Sequence, residues 1–242
     1  MVTACLAITR AVESMGLHAD MTAGLSLGEY CAIAVAGGMC DLDAIRTVRS
    51  RGIFMEHAAP EGSGAMSAVL GMDAAVIENV LNGREGVSIA NYNCPGQIVI
   101  TGEAAAVAEA GTALKEAGAR RVLPLKVSGP FHSPMMRPAG EELAKVFARV
   151  SMNPLKIPYV ANINAEVITD CGRIEGLLVE QVSGSVRWQQ SVETMIREWV
   201  DTFVEIGPGK TLTGFLRKID KNVKAYHIGS WEEAVQVCEE LK

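Results

Sequence analysis

One short segment brings together residue types that could do chemistry: Gly24-Leu25-Ser26-Leu27-Gly28. Glycines flanking a serine permit a tight, strained turn that pushes the hydroxyl out of a sheet toward a substrate. A buried strand is predicted over 20–24 and a buried helix over 29–36, so the turn joins a strand to a helix. The N–H groups of Leu27 and Gly28 then open that helix, where the positive end of its dipole favours an oxyanion. A plain glycine turn has the same pattern. The strand–turn–helix setting favours a nucleophile.

A serine nucleophile needs a base, and the chain has four histidines. His18 follows a helix end and His57 lies near a helix C-terminus, where a solvated or dipole-complementing role suffices. His227 sits inside a predicted strand and reads as a core histidine. His132 stands in Val127-Ser128-Gly129-Pro130-Phe131-His132-Ser133-Pro134, a proline-punctuated loop leaving a strand. Such loops are where α/β folds place catalytic groups, which makes His132 the best base by position. Arg51 is the third unusual residue. On a helix from about 43, Ala44, Ile45, Val48, Gly52 and Met55 form the apolar stripe and Arg51 falls on its margin. A guanidinium there needs a planar anion or carboxylate, although on the residues alone a structural ion pair or a snorkelling side chain is the better reading.

The elements that must position these residues follow from periodicity. Met1, Cys5, Ile8, Val12 and Met15 make a helical stripe, and Asp41 or Asp43 caps a helix running toward His57. Between 62 and 126 the texture changes to strand, helix, strand, strand, helix, strand, the order of a small ferredoxin-like unit. Beyond it a helix is predicted over 138–150, a strand over 157–162, and helices over 174–182 and 189–199. Strands over 202–206 and 224–228 are followed by helices over 211–219 and 231–241. Strands alternating with helices argue for a parallel sheet covered on both faces.

Composition narrows the function classes. Apolar residues make up 49% and charged residues 21%, which excludes a disordered or collagen-like chain. No apolar run is long enough to span a bilayer. Twenty-two basic against twenty-eight acidic residues give a net charge of −6, which argues against a nucleic-acid partner. Cys5, Cys31, Cys40, Cys94, Cys171 and Cys238 lack the clustered spacing of a zinc site or a disulfide framework, so no metal is expected and buried thiols in a reducing cytoplasm are. Glu205-Ile206-Gly207-Pro208-Gly209-Lys210-Thr211 looks like the end of a phosphate-binding loop, but Val204 stands where such a loop needs its first glycine.

Taken together, five ordered motifs resemble the malonyl-CoA:acyl-carrier-protein transacylase family: Ala23-Gly24-Leu25-Ser26-Leu27-Gly28-Glu29-Tyr30, Arg51-Gly52 with Met55, Ala90-Asn91-Tyr92-Asn93-Cys94-Pro95-Gly96-Gln97, Gly129-Pro130-Phe131-His132-Ser133, and Val204-Glu205-Ile206-Gly207-Pro208-Gly209-Lys210. The resemblance implies an acyltransferase of fatty acid biosynthesis that loads malonyl from malonyl-CoA onto acyl carrier protein, with a coenzyme A thioester as substrate and no cofactor. Ser26 would be the nucleophile, His132 the base and then the acid, and Arg51 the partner of the malonyl carboxylate. The Gln181 carbonyl would orient the imidazole, and the Leu27 N–H would be one oxyanion donor. The implied fold is α/β: an α/β-hydrolase-like large subdomain over 1–60 and 128–242, with a ferredoxin-like small subdomain over 61–127.

Two departures stand out. Leu25 replaces the histidine that usually precedes the nucleophile, which affects packing around the turn. Family members also open with a strand and a Gly-Gln-Gly loop whose glutamine supplies the second oxyanion N–H. This chain begins inside the helix expected after that loop. The resemblance therefore implies a weakened transacylase that self-associates through an uncovered sheet edge. Two other readings compete: a serine hydrolase with a neutral acyl pocket, which Arg51 disfavours, and a domain that binds coenzyme A or carrier without turnover. An acidic carrier would dock on a local basic face, for which Lys210, Arg217, Lys218, Lys221 and Lys224 are the candidates.

Overall fold

A computed structural model describes residues 1–241. In chain order, α1 (Val2–Ser14), β1 (Thr22–Ala23), α2 (Gly28–Val35) and α3 (Asp41–His57) lead into β2 (Gly64–Leu70), α4 (Ala74–Leu81), β3 (Val87–Cys94), β4 (Gln97–Glu103), α5 (Ala104–Glu116) and β5 (Arg121–Pro124). Then come α6 (Arg137–Phe147), β6 (Tyr159–Val160), β7 (Val167–Ile168), α7 (Ile174–Ser183), α8 (Trp188–Arg197), β8 (Thr202–Ile206), α9 (Thr211–Ile219), β9 (Lys224–Ile228) and α10 (Trp231–Glu240). The molecule is α/β with mixed sheets.

The stretch from β2 to β5 has the predicted βαββαβ order. Its four strands form an antiparallel sheet in the order β3-β4-β2-β5. One face carries Val69, Ile89 and Ile100, packed with Ile77 and Leu114 of α4 and α5. On the other face Met66, Ala68, Ala90 and Val99 pack against Phe131. Alternate residues of β2 thus serve two cores, which is why apolar residues stand at both odd and even positions of the strand. That second face anchors the loop holding His132. Close packing leaves no alternative at Gly64, where a Cβ would lie 2.3 Å from Pro130 Cγ.

Outside this unit the strands fall into two groups rather than the one parallel sheet expected. β1 runs parallel to β6, which pairs antiparallel with β7, and β8 runs parallel to β9. No ladder joins β1 to β8. β7 escaped the sequence reading because two residues carry no periodicity. β3 is stitched to the segment between α7 and α8, with Tyr92 N–H donating to the Val186 carbonyl at 2.9 Å and Val186 N–H to the Ala90 carbonyl at 2.7 Å.

Three local expectations are corrected. The buried residues of α1 are Val2, Leu6, Thr9 and Val12, while Met1 is exposed. The helix is two-sided: Val2 and Leu6 join the core of α2 and α3, and Ile8, Val12 and Met15 join that of β9 and α10. Neither aspartate caps α3; Cys40 does, its Sγ accepting from Asp43 N–H at 3.4 Å. The buried line of α3 is Ala44, Thr47, Arg51 and Met55, so Arg51 stands at the centre of the inward face rather than on its margin. The six cysteines are unpaired, and among the described residues no helix is long and apolar enough to cross a membrane.

Candidate active site

The turn between β1 and α2 is held by contacts that only glycine allows at one end. A Cβ on Gly24 would lie 2.0 Å from the Gly28 carbonyl oxygen, whereas Gly28 has open space around it. Ser26 has φ 54°, a left-handed conformation that costs a non-glycine residue about 1–3 kcal/mol. Hydrogen bonds offset that strain. Ser26 N–H donates to Asn162 Oδ1 at 2.6 Å, Asn162 Nδ2 donates to the Gly24 carbonyl at 2.8 Å, and Gln181 Nε2 donates to the Ser26 carbonyl at 3.0 Å. Gly28 N–H is spent on the Leu25 carbonyl and Glu29 N–H on the Ser26 carbonyl. The Leu27 N–H donates to no group among the described residues, leaving it open at the start of α2. Leu25 is half-buried in the apolar cluster of Val186, Trp188 and Leu216.

His132 also has a positive φ, 58°, and is 5% exposed. Its Nε2 lies 2.8 Å from Ser26 Oγ and its Nδ1 lies 2.8 Å from the Gln181 carbonyl. A carbonyl only accepts, so the proton sits on Nδ1 and Nε2 is free to accept from the serine hydroxyl. Burial, then the nearby Arg51 charge, pushes the imidazole pKa from 6.5 down to about 4 against the opposing pull of the Gln181 carbonyl. At neutral pH His132 is therefore an unprotonated base.

Arg51 is 6% exposed, and its Nη2 donates to Ser26 Oγ at 2.9 Å and to Gln181 Oε1 at 3.1 Å. Its guanidinium lies over the Tyr30 ring, 5.9 Å from the centroid. Among the described residues no carboxylate comes within ion-pair distance of it, and its Nε is buried without a partner. Burial lowers its pKa, opposed by Tyr30 and Glu29. A structural ion pair is thus not what occupies this arginine. Its unspent donors suit a carboxylate brought by a ligand.

Ser26, His132, Arg51 and Gln181 are brought into one hydrogen-bonded group, with the Leu27 N–H beside it. The other histidines stay outside: His18 is exposed, His57 Nδ1 contacts the Ile53 carbonyl, and His227 Nε2 contacts the Gly207 carbonyl. Two residues hydrogen-bonded to the group escaped the sequence reading. Asn162 is fully buried just past the end of β6, the strand-end position where such folds place functional groups. Glu29 is 1% exposed, and its signal was a lone charge in an otherwise apolar helix. Among the described residues no three or more His, Cys, Asp or Glu side chains gather as metal ligands.

Comparison with known proteins adds to this geometry. The acyl transferase domain family matches residues 2–237. The chain belongs to the acyl transferase domain family. It is 42% identical to the malonyl CoA-acyl carrier protein transacylase of Bacillus subtilis, a similarity covering 100% of this chain and 78% of that protein. The crystal structure of MCAT from Streptococcus pneumoniae superposes with a TM-score of 0.94 at 42% identity, over 99% of this chain and 79% of that one. A malonyl-transacylase in complex with its type II PKS acyl-carrier protein superposes with a TM-score of 0.93 at 38% identity, over 99% of this chain and 79% of that one.

Proposed function

We propose that the chain moves a malonyl group from malonyl-CoA to acyl carrier protein, for fatty acid synthesis, through an ester on Ser26. The observation that carries this reading is the double contact on Ser26 Oγ, with the neutral base His132 on one side and the buried, ion-pair-free Arg51 on the other.

The chemistry follows from these contacts. His132 Nε2 takes the hydroxyl proton as Ser26 Oγ attacks the thioester carbonyl. The new C–O bond forms, and charge collects on the carbonyl oxygen, toward which the Leu27 N–H and the start of α2 are open. On collapse the C–S bond breaks, and His132 returns its proton to the departing coenzyme A sulfur. In the second half the carrier thiol gives its proton to His132 and attacks the seryl ester by the same route. The Gln181 carbonyl holds the imidazole in the tautomer that can accept, as a carboxylate does in a hydrolase triad. Arg51 turns its unspent donors to the malonyl carboxylate. The thioester is already activated, so these steps call for no cofactor.

The two parallel strand groups read best as an α/β-hydrolase-like large subdomain over 1–60 and 128–242. The antiparallel order β3-β4-β2-β5 with α4 and α5 supports an inserted ferredoxin-like subdomain over 61–127.

The test is acyl selectivity. Arg51→Ala should lower kcat/KM for malonyl-CoA by about 2–5 kcal/mol, because a buried carboxylate loses its charged partner. Acetyl-CoA carries no charge to strand, and its use should survive or improve. Equal losses on both thioesters would make Arg51 structural and return the neutral-pocket hydrolase to favour.

A further inference from the structure

Glu29 is a buried carboxyl that the reaction above does not use. Its Oε2 accepts from Gln181 Nε2 at 2.7 Å and from Asn162 N–H at 3.2 Å, while its Oε1 is buried without a partner. Gln181 is the hub of the site, since its amide touches three different groups. Oε1 accepts from Arg51 Nη2, and Nε2 donates both to the Ser26 carbonyl and to Glu29. Arg51 has only donors to offer and the Ser26 carbonyl only lone pairs, so these neighbours fix which way the amide faces. Glu29 fixes how far it reaches. Without Glu29, Nε2 keeps only the longer bond to the Ser26 carbonyl, and the shorter of the two contacts that fix the amide's reach toward the guanidinium is lost.

We propose that Glu29 is the positioning residue of the acyl site: its carboxyl oxygen anchors the Gln181 amide, and the amide in turn sets the Arg51 fork against Ser26 Oγ. This rests on the malonyl-transfer reading of the site. Burial pushes the Glu29 carboxyl up to about 8, so the acid form prevails at neutral pH, and Oε2 accepts from both donors. A glutamine reproduces that arrangement, with an acceptor in place and an NH2 where the OH was. An aspartate keeps the acid but withdraws the oxygen by one methylene. The role is therefore geometric, and it orders the two conservative variants against chemical habit.

The experiment measures kcat/KM for malonyl-CoA and acetyl-CoA on wild type, Glu29→Gln, Glu29→Asp and Arg51→Ala, with circular dichroism as a folding check. Glu29→Asp should lower the malonyl-to-acetyl ratio about ten-fold or more, because misplacing a reacting or binding group by about an ångström is costly. Glu29→Gln should keep the ratio within about three-fold of wild type. Loss of turn rigidity alone would slow both thioesters by one factor and leave the ratio unmoved. An unchanged ratio in Glu29→Asp, or a ratio falling further in Glu29→Gln than in Glu29→Asp, overturns the proposal. Arg51→Ala separates the two failures: if its ratio also stays at the wild-type value, the malonyl reading itself has failed. If Glu29→Asp does not fold, the Glu29→Gln ratio decides alone, and a ten-fold drop there counts against positioning.

Discussion

Two strand–turn–helix units in this molecule look alike in sequence and behave in opposite ways. The first joins β1 to α2 through Gly24-Leu25-Ser26-Leu27-Gly28, and the second joins β8 to α9 through Gly207-Pro208-Gly209-Lys210. In the second, Gly207 and Gly209 have positive φ values, and Glu205 reaches from β8 over the start of α9. Its carboxylate accepts from Leu212 N–H at 3.0 Å, from Thr213 N–H at 2.7 Å and from Thr213 Oγ1 at 2.6 Å. That helix start is sealed by the chain's own anion. In the first unit the strain sits on a serine rather than a glycine, and the Leu27 N–H is left unspent. A glycine turn before a helix is thus only a precondition for an anion site. What decides is whether the protein fills the helix start itself or leaves it for a ligand.

The largest way to break the contrast is at the base of the open turn. His132→Ala should slow acylation by about 10²–10⁴-fold, the usual range for losing a general base, read by rapid-quench acylation with malonyl-CoA. The same assay checks the pH dependence. Because the His132 pKa is depressed to about 4, the neutral base persists as pH falls past 6.5, and the rising limb should lie near pH 4. Arg51→Ala removes one of the two causes and should move that limb upward, with burial still holding it below 6.5. A limb at 6.5 in the wild type would show that burial and Arg51 do not depress the imidazole. Folding stability carries the same sign. It is present in full above 6.5 and is lost as pH falls toward 4, since the unfolded histidine binds its proton first.

A middle-sized effect tests the sealed turn. Glu205→Ala strips three hydrogen bonds from the start of α9 and should cost about 1–3 kcal/mol in urea unfolding, with the acylation rate of Ser26 barely changed. A large fall in acylation with no loss of stability would mean that the two turns are coupled. The smallest expected effect lies on the basic face beyond it. Lys210 is already paired with Glu233 at 3.1 Å, which leaves Arg217, Lys218, Lys221 and Lys224 as the cations to meet an acidic carrier. Charge reversal at Arg217 and Lys218 should raise KM for the carrier protein a few-fold at low salt and leave coenzyme A kinetics alone. An unchanged KM removes this face.

The sequence made β8, α9 and β9 legible to the residue, because each is a full period of strand or helix bounded by glycine or aspartate. It singled out Ser26 and His132 by chain position and residue type, since a nucleophile turn and a strand-end loop are local features, whereas Arg51 drew its role only from the family resemblance. The position of Arg51 on its helix came out wrong by a fraction of a turn. An apolar stripe traced through Ile45 and Val48 misses that the buried line runs through Thr47. Glu29 and Asn162 were illegible for a different reason. Their roles come from contacts between residues more than a hundred positions apart, which no local pattern encodes. The split of the parallel strands into two groups was equally hidden, because alternation predicts that strands exist and not which ones pair.

Which atom accepts the acyl group is the most direct test of the mechanism. Wild-type protein mixed with malonyl-CoA and read by intact mass should gain one malonyl group, placed on Ser26 by peptide mapping, and Ser26→Ala should gain none while keeping its fold. If the alanine variant acquires the same mass, the acceptor lies elsewhere and the role assigned to the strained turn is wrong.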